Sequence, residues 1–264
     1  PVAKRVSRAT VCNRCFEQGG LMDGQHKKVA ILQSNYIPWK GYFDLIHDVD
    51  LFVFYDDVQY THSDWRHRNK LMTTQGPQWL SIPAGHDLKR LICEVEVADQ
   101  KWKQKHRRTV EQNYRKAPFF KEQEPLLDFL YENAITNLSE YNQRAIKHLS
   151  GLLGIATQFT DSRLLSAHGS KTERLISILR KVGAGTYISG PSAKSYIDET
   201  LFAEAGIELA YKQYPDYPAY PQCSSPFFPF VTLLDLLFNV GRDAPYYIWG
   251  WRDQRDSGFD DLRP

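Results

Sequence analysis

The sequence predicts an α/β protein with a parallel-sheet core and a mainly helical middle segment. Short continuous apolar runs at Val29 to Leu32, Leu51 to Tyr55 and Thr186 to Gly190 have the look of strands buried on both faces. The first two runs are joined by a loop and one short helical stretch, the spacing of a right-handed βαβ crossover. Between about 101 and 155, apolar residues recur at helical rather than strand spacing.

In chain order, residues 1–28 are basic, Gly-containing and without periodicity, and are expected to form a flexible arm. An α/β part is expected over 29–100. It opens with the Val29 strand, a loop holding Asn35 and Pro38, a helix through Phe43, Leu45, Ile46 and Val49, and the Leu51 to Tyr55 strand. Trp79 to Pro83 and Leu91 to Val97 read as two further strands. The helical segment at 101–155 starts with the stripe Trp102, His106, Val110 and Tyr114, ended by Pro118. Pro125 opens a second helix, and Asn137 to Leu153 forms a third, closed by Gly154. The α/β pattern returns over 156–252. Gln158 to Thr160 reads as a strand, and Ser170 with Glu173 forms a capping box before Leu175, Ile176, Ile178 and Leu179. Thr186 to Gly190 is a strand, Phe202 to Gly206 a short helix, Glu208 to Tyr211 a strand and Phe230 to Asn239 a buried helix. Residues 253–264 are left as a tail.

Composition narrows the function classes. The 264 residues carry a net charge of +2, too balanced for a protein whose main partner is a nucleic-acid backbone or an anionic membrane. A small polar ligand fits better. No apolar run is long enough to span a bilayer, so no membrane insertion is expected, and the basic N-terminal stretch lacks the apolar segment of a signal peptide. Four cysteines at irregular spacing make no disulfide framework, and a cytoplasmic location is expected. Cys12 and Cys15 have the spacing of a zinc knuckle, with His26 as a third donor, but four ligands are needed and no tightly bound zinc is expected.

Ligands of parallel sheets bind beyond the carboxyl ends of the strands, which directs attention to three loops. Gln33, Asn35, Tyr36, Lys40 and Tyr42 follow the first strand and offer hydrogen-bonding groups; the same Tyr and Pro residues would equally serve a packed turn. Asp56 and Asp57, with Gln59 and Tyr60, follow the second. Paired carboxylates there can act as a general base, hold an amine or cap a turn. The nearby run Trp65-Arg66-His67-Arg68-Asn69-Lys70 could receive phosphate. Gly190, Pro191, Ser192, Ser195 and Tyr196 follow the Thr186 strand and bring backbone N–H groups and hydroxyls. No P-loop, dinucleotide fingerprint, zincin motif or nucleophile elbow occurs. His106 is a further candidate for acid–base work, set against a packing role on its helical stripe.

Taken together, Val29-Ala30-Ile31-Leu32-Gln33, Tyr36 to Phe43, Phe52 to Tyr60, Trp65, Arg68-Asn69, Gln78-Trp79-Leu80, Trp102, Tyr114, Ala117 to Phe120, Ser189 to Ala193, Tyr196 and Leu233 to Asn239 closely resemble the WbqC-like family. The likeness runs from about Val29 to Trp251. Members occur among bacterial genes for O-antigen and other surface or specialised sugars. The resemblance implies acyl or aminoacyl transfer to the amino group of a sugar, nucleotide-linked, in glycan or glycosylated-metabolite biosynthesis. It also marks the motif positions as substrate-binding residues: Gln33, Tyr36, Lys40, Tyr42, Asp56, Gln59, Tyr60, Trp65, Arg68, Asn69, Gly190, Pro191, Ser192 and Tyr196; Asn35 and Ser195, hydrogen-bonding groups of the same loops, are taken with them. Asp57 and His106 are the candidate bases, and the Gly190 to Ser192 backbone is the candidate oxyanion site. The opening unit also resembles nucleotidylyltransferases and pantothenate synthetase-like ligases, which hold ATP phosphates with His-x-Gly-His. Trp39-Lys40-Gly41-Tyr42 stands at that place, without either histidine. An ATP- and magnesium-dependent amide ligase is therefore the rival enzyme, and a sugar-nucleotide-binding scaffold the rival without turnover.

Overall fold

The computed structural model describes residues 27–252, and the arm with Cys12, Cys15 and His26 and the tail from 253 lie outside them. Five parallel strands form the central sheet: β1 (Lys28–Leu32), β2 (Leu51–Phe54), β5 (Gln158–Asp161), β6 (Thr186–Ser189) and β7 (Glu208–Tyr211), in spatial order β5-β2-β1-β6-β7. An antiparallel hairpin, β3 (Arg68–Thr73) and β4 (Gly76–Ser81), stands apart from it. The helices are α1 (Lys40–His47), α2 (Lys101–Tyr114), α3 (Glu124–Tyr131), α4 (Leu138–Leu152), α5 (Lys171–Lys181), α6 (Glu199–Ala205) and α7 (Leu233–Val240).

The apolar runs make buried strands because both of their faces are covered. Ala30, Phe52 and Phe54 pack into a core built on α1, α2, α3, α4 and α7, while Val29, Ile31, Leu51 and Val53 pack on the opposite side against α5 and α6. The chain is thus a three-layer α/β fold. From β1 it winds outward through β2 to β5, then returns to the other side of β1 for β6 and β7. Winding direction therefore reverses between β1 and β6, the place where open parallel sheets leave a crevice. The pairing there is short: Lys28 lies opposite Thr186 and Val29 opposite Tyr187, while both strands continue further.

The strand β3 has no counterpart in the sequence expectation, and three further elements differ from it. Leu91 to Val97 is a 3₁₀ turn (Ile92–Glu94) flanked by isolated bridges, Gln59 to Leu91 and Glu96 to Asn137. The Glu94 carboxylate accepts the Leu91 N–H at 2.7 Å, a local bond that competes with a strand ladder. The Ser170 hydroxyl makes no capping bond, since Lys171 enters α5 at φ +46° and turns the chain away from the box geometry. The buried C-terminal helix starts at Leu233, after Thr232, rather than at Phe230.

Candidate functional site

A cavity of about 1060 Å³ opens over the carboxyl edge of the sheet at the β1/β6 reversal. Its floor is Ile31, Leu32, Tyr187 and Ser189, and its walls come from the loops after β1, β2 and β6 and from the first turns of α5. Each wall is set by local chemistry. Ile37 holds φ +39°, in the left-handed region that a β-branched residue avoids, and Asn69 Nδ2 donates to its carbonyl at 2.8 Å. The Tyr36 N–H donates to the Trp65 carbonyl at 2.9 Å, which clips the β1 loop to residues 64–66. Asn142 on α4 donates to the Arg66 carbonyl at 2.7 Å from the other side. Gly41 lets Trp39 lie across the start of α1, because a Cβ there would collide with the indole.

Two cations, Arg66 and Lys171, line the cavity. Arg66 donates to Asn35 Oδ1 and to Asp64 at 3.4 Å, and its Nε is buried with no partner. Lys171, exposed and without a side-chain partner among the described residues, lines the same cavity at the amino end of α5, whose helix dipole adds positive potential. Asp64 is the acidic side chain on the wall; despite partial burial, Arg66, Thr61 and the Trp65 N–H hold its carboxyl below the usual range. The Gln33 carboxamide is unpaired among the described residues and lines the same space, while the Gln33 carbonyl accepts the Tyr42 hydroxyl at 2.9 Å. Aromatic faces close the rest: Tyr55, Trp65, Tyr196, Tyr214 and Trp39, which packs on Tyr214 at 5.3 Å.

Of the residues marked by sequence, the cavity brings together Gln33, Asn35, Tyr42, Trp65, Gly190, Pro191, Ser192 and Tyr196. Others stand behind it or elsewhere. Asp56 is fully buried and accepts from the Ser34 N–H at 2.8 Å, from Ser139 and from Gln143 at 3.1 Å, tying the β1 loop to α4. Asp57 accepts from Ser162 at 2.5 Å and pairs with Arg174 of α5. Lys40 lies in an aromatic enclosure of Tyr217, Tyr220 and Phe227, where burial brings its pKa down to about 8 despite the attraction of Asp235. Tyr36 is buried beneath the loop, its hydroxyl 2.8 Å from His106 Nδ1 and 3.1 Å from the Tyr131 hydroxyl. Burial lowers the His106 pKa to about 4, and a hydrogen bond to the Ser81 backbone only partly offsets it. With Ser81 engaging the ring through Nε2–H, Nδ1 is left to accept the Tyr36 hydroxyl. His106 borders a separate cavity of about 510 Å³ beside β4. Tyr60 is buried against His67 at 2.9 Å, Gln59 is exposed and bonded to the Leu88 carbonyl, and Ser195 closes its own turn on Ser192. Arg68 lies over Trp79 at 4.3 Å.

Asp64, Lys171 and Tyr214 are wall residues that sequence reasoning did not select, and Arg66 was named only within the 65–70 run as a phosphate patch. The signal for Arg66 was present: β3 begins at Arg68, so the residues just before it belong to the approach loop, and strand alternation sends Arg68 and Lys70 to the outer face. Lys171 carries no sequence signal beyond following a serine at a helix start. No helix among the described residues is long and apolar enough to cross a membrane, and none of them form a cluster of three or more His, Cys, Asp or Glu able to hold a metal ion.

The model of the WbqC-like protein family matches residues 33–247. An uncharacterized Mycobacterium tuberculosis protein, Rv1507c, is 44% identical over 225 residues, which cover 84% of this chain and 97% of that protein. No solved structure matches the chain. The matched span begins at Gln33, on the loop that walls the cavity, and runs through the Gly190 loop and α7; the chain belongs to the WbqC-like protein family.

Proposed function

We propose that the β1/β6 crevice binds a nucleotide-linked amino sugar and that the protein transfers an acyl or aminoacyl group to the sugar's amine, in the cytoplasm, for bacterial glycan or glycosylated-metabolite biosynthesis. The observation that carries the reading is the pair of cations Arg66 and Lys171 lining one crevice, with the amino end of α5, at the reversal point of a parallel sheet. That arrangement suits a diphosphate, and the flanking indoles and phenols suit sugar and base faces. In the transfer, the free amine attacks the carbonyl carbon of an activated acyl donor, a thioester or ester. The C–N bond forms, the bond to the leaving sulfur or oxygen breaks, and the amine's proton passes to the leaving group. N–H groups of the Gly190 to Ser192 turn face the developing oxyanion. Asp57 acts through Arg174, and His106 through Tyr36, as positioning residues rather than as groups touching substrate.

The test is a product assay by mass spectrometry on a panel of nucleotide-linked amino sugars with acyl and aminoacyl donors, with and without ATP and magnesium. N-acylated sugar formed at the donor's expense without ATP supports the transferase. Product that requires ATP, with release of AMP or ADP, supports the ligase instead. Tight sugar-nucleotide binding with no product under either condition supports the scaffold.

A further inference from the structure

A second, smaller cavity of about 240 Å³ adjoins the crevice and shares Asn35, Trp39 and Trp65 with it; Pro38, Asn69 and Phe230 complete its lining. The Asn69 side chain and the Asn35 Oδ1 are already engaged. Asn69 donates to the carbonyls of Tyr36 and Ile37 at 3.2 and 2.8 Å and accepts the Lys70 N–H at 2.8 Å, and Asn35 Oδ1 accepts from Arg66. What remains for a ligand, apart from the Asn35 amide N–H, is the faces of Pro38, Trp39, Trp65 and Phe230, with Trp39 and Phe230 5.4 Å apart. A nucleobase buried there would replace few of its hydrogen bonds to water, whereas an alkyl or aryl group would lose none.

We infer that this annex is the acyl pocket of the site: it holds the apolar chain of the donor and limits its length. The inference rests on the transferase reading above. Continuity fixes the geometry, since a group seated against Trp39 and Trp65 leaves its carbonyl end directed at the shared wall, where Asn35 and Arg66 meet the main cavity. The volume fixes the size. At the roughly 30 Å³ that a water-sized group occupies in a liquid, the annex holds about eight non-hydrogen atoms. The donor class is therefore a medium-length or aryl acyl group, too long for acetyl to fill and too short for a membrane-lipid chain. Phe230 is 53% exposed and forms the outer end, so it is the length gate and can be shortened without opening the core.

The experiment is a fluorescence titration, read through Trp39 and Trp65, of the full chain with n-alkanoates from butanoate to dodecanoate, alongside uridine diphosphate glucosamine. In the wild type, affinity is expected to rise about fourfold per methylene and to stop rising near eight carbons. Phe230→Ala should move that stop to longer chains. Affinity that ignores chain length, or a limit that Phe230→Ala does not move, overturns the acyl pocket while sugar-nucleotide binding keeps the transferase reading alive. Displacement of octanoate by uridine monophosphate overturns it as well, by placing the base in the annex. A chain-length limit that moves with Phe230→Ala, in a protein with no affinity for any nucleotide-linked amino sugar, upholds the pocket and overturns the reading on which it rests.

Discussion

Asn69 holds Ile37 in a conformation that its own side chain disfavours: the Asn69 Nδ2 donates to the Ile37 carbonyl at 2.8 Å while Ile37 sits, fully buried, at φ +39°. The hairpin strand β3 thereby fixes the loop after β1, and that loop supplies Asn35 and Trp39 to both cavities. Backbone strain kept by a buried side-chain bond is typical of ligand-binding loops.

Asn69→Ala removes the bonds to Tyr36 and Ile37 together and leaves two carbonyls without their partner. Urea unfolding should show a loss of about 1 to 3 kcal/mol. Sugar-nucleotide affinity should fall with it, because the freed loop carries Asn35. Unchanged affinity in a destabilised variant would separate the loop's conformation from binding.

Gly41→Ala tests the other side of the same loop. Alanine is the better helix former by up to about 1 kcal/mol, so the fold should tolerate it. Its Cβ displaces the Trp39 indole, however, and Trp39 walls both cavities. Near-wild-type melting with loss of octanoate and sugar-nucleotide binding is the expected outcome. Retained binding of both ligands would show that Trp39 is dispensable.

The histidines set an acid limit. His106 and His67 both have pKa values lowered to about 4, mainly by burial, against an unfolded value near 6.5. The folded state keeps them neutral over a range where the unfolded state binds protons, so stability is full above about pH 6.5 and falls as pH drops towards 4. At pH 5 each contributes a loss on the order of 2 kcal/mol. Urea midpoints at pH 7.5 and 5 measure the slope, and His106→Gln should flatten it by about half. A pH-independent midpoint would contradict the burial of both rings.

Asp57→Asn weakens the pair with Arg174 and the bond from Ser162 behind the wall. Stability should fall by about 1 to 3 kcal/mol, with sugar-nucleotide affinity within a few fold of wild type. A large loss of affinity or turnover at full stability would place Asp57 in contact with the ligand.

The parallel sheet was legible because its strands are buried on both faces and so appear as unbroken apolar runs; Val29 to Leu32 and Leu51 to Phe54 needed no other cue. The β3 strand was not, because Arg68, Asn69 and Lys70 make its start polar, and its partner β4 places Gln78 and Trp79 on the surface. Leu91 to Val97 misled through composition: Ile92, Val95 and Val97 are buried, but Glu94 folds back on the Leu91 N–H. At the site, the three loops were found from the rule that ligands lie beyond strand ends. Which side chains on those loops face the cavity depends on long-range bonds, such as Asn142 to the Arg66 carbonyl and Ser139 to Asp56, that no local pattern encodes.

The most direct measurement is the affinity of Arg66→Met and Lys171→Met for uridine diphosphate glucosamine by calorimetry, at low and high salt. If the crevice holds the diphosphate, Arg66→Met should weaken binding by about ten- to a hundredfold, as loss of a charged hydrogen bond does. Lys171→Met should weaken it less, and both variants should show a smaller salt dependence than the wild type. Wild-type affinity with unaltered salt dependence in both variants would contradict the placement of the phosphates, and with it the assignment of this crevice as the substrate site.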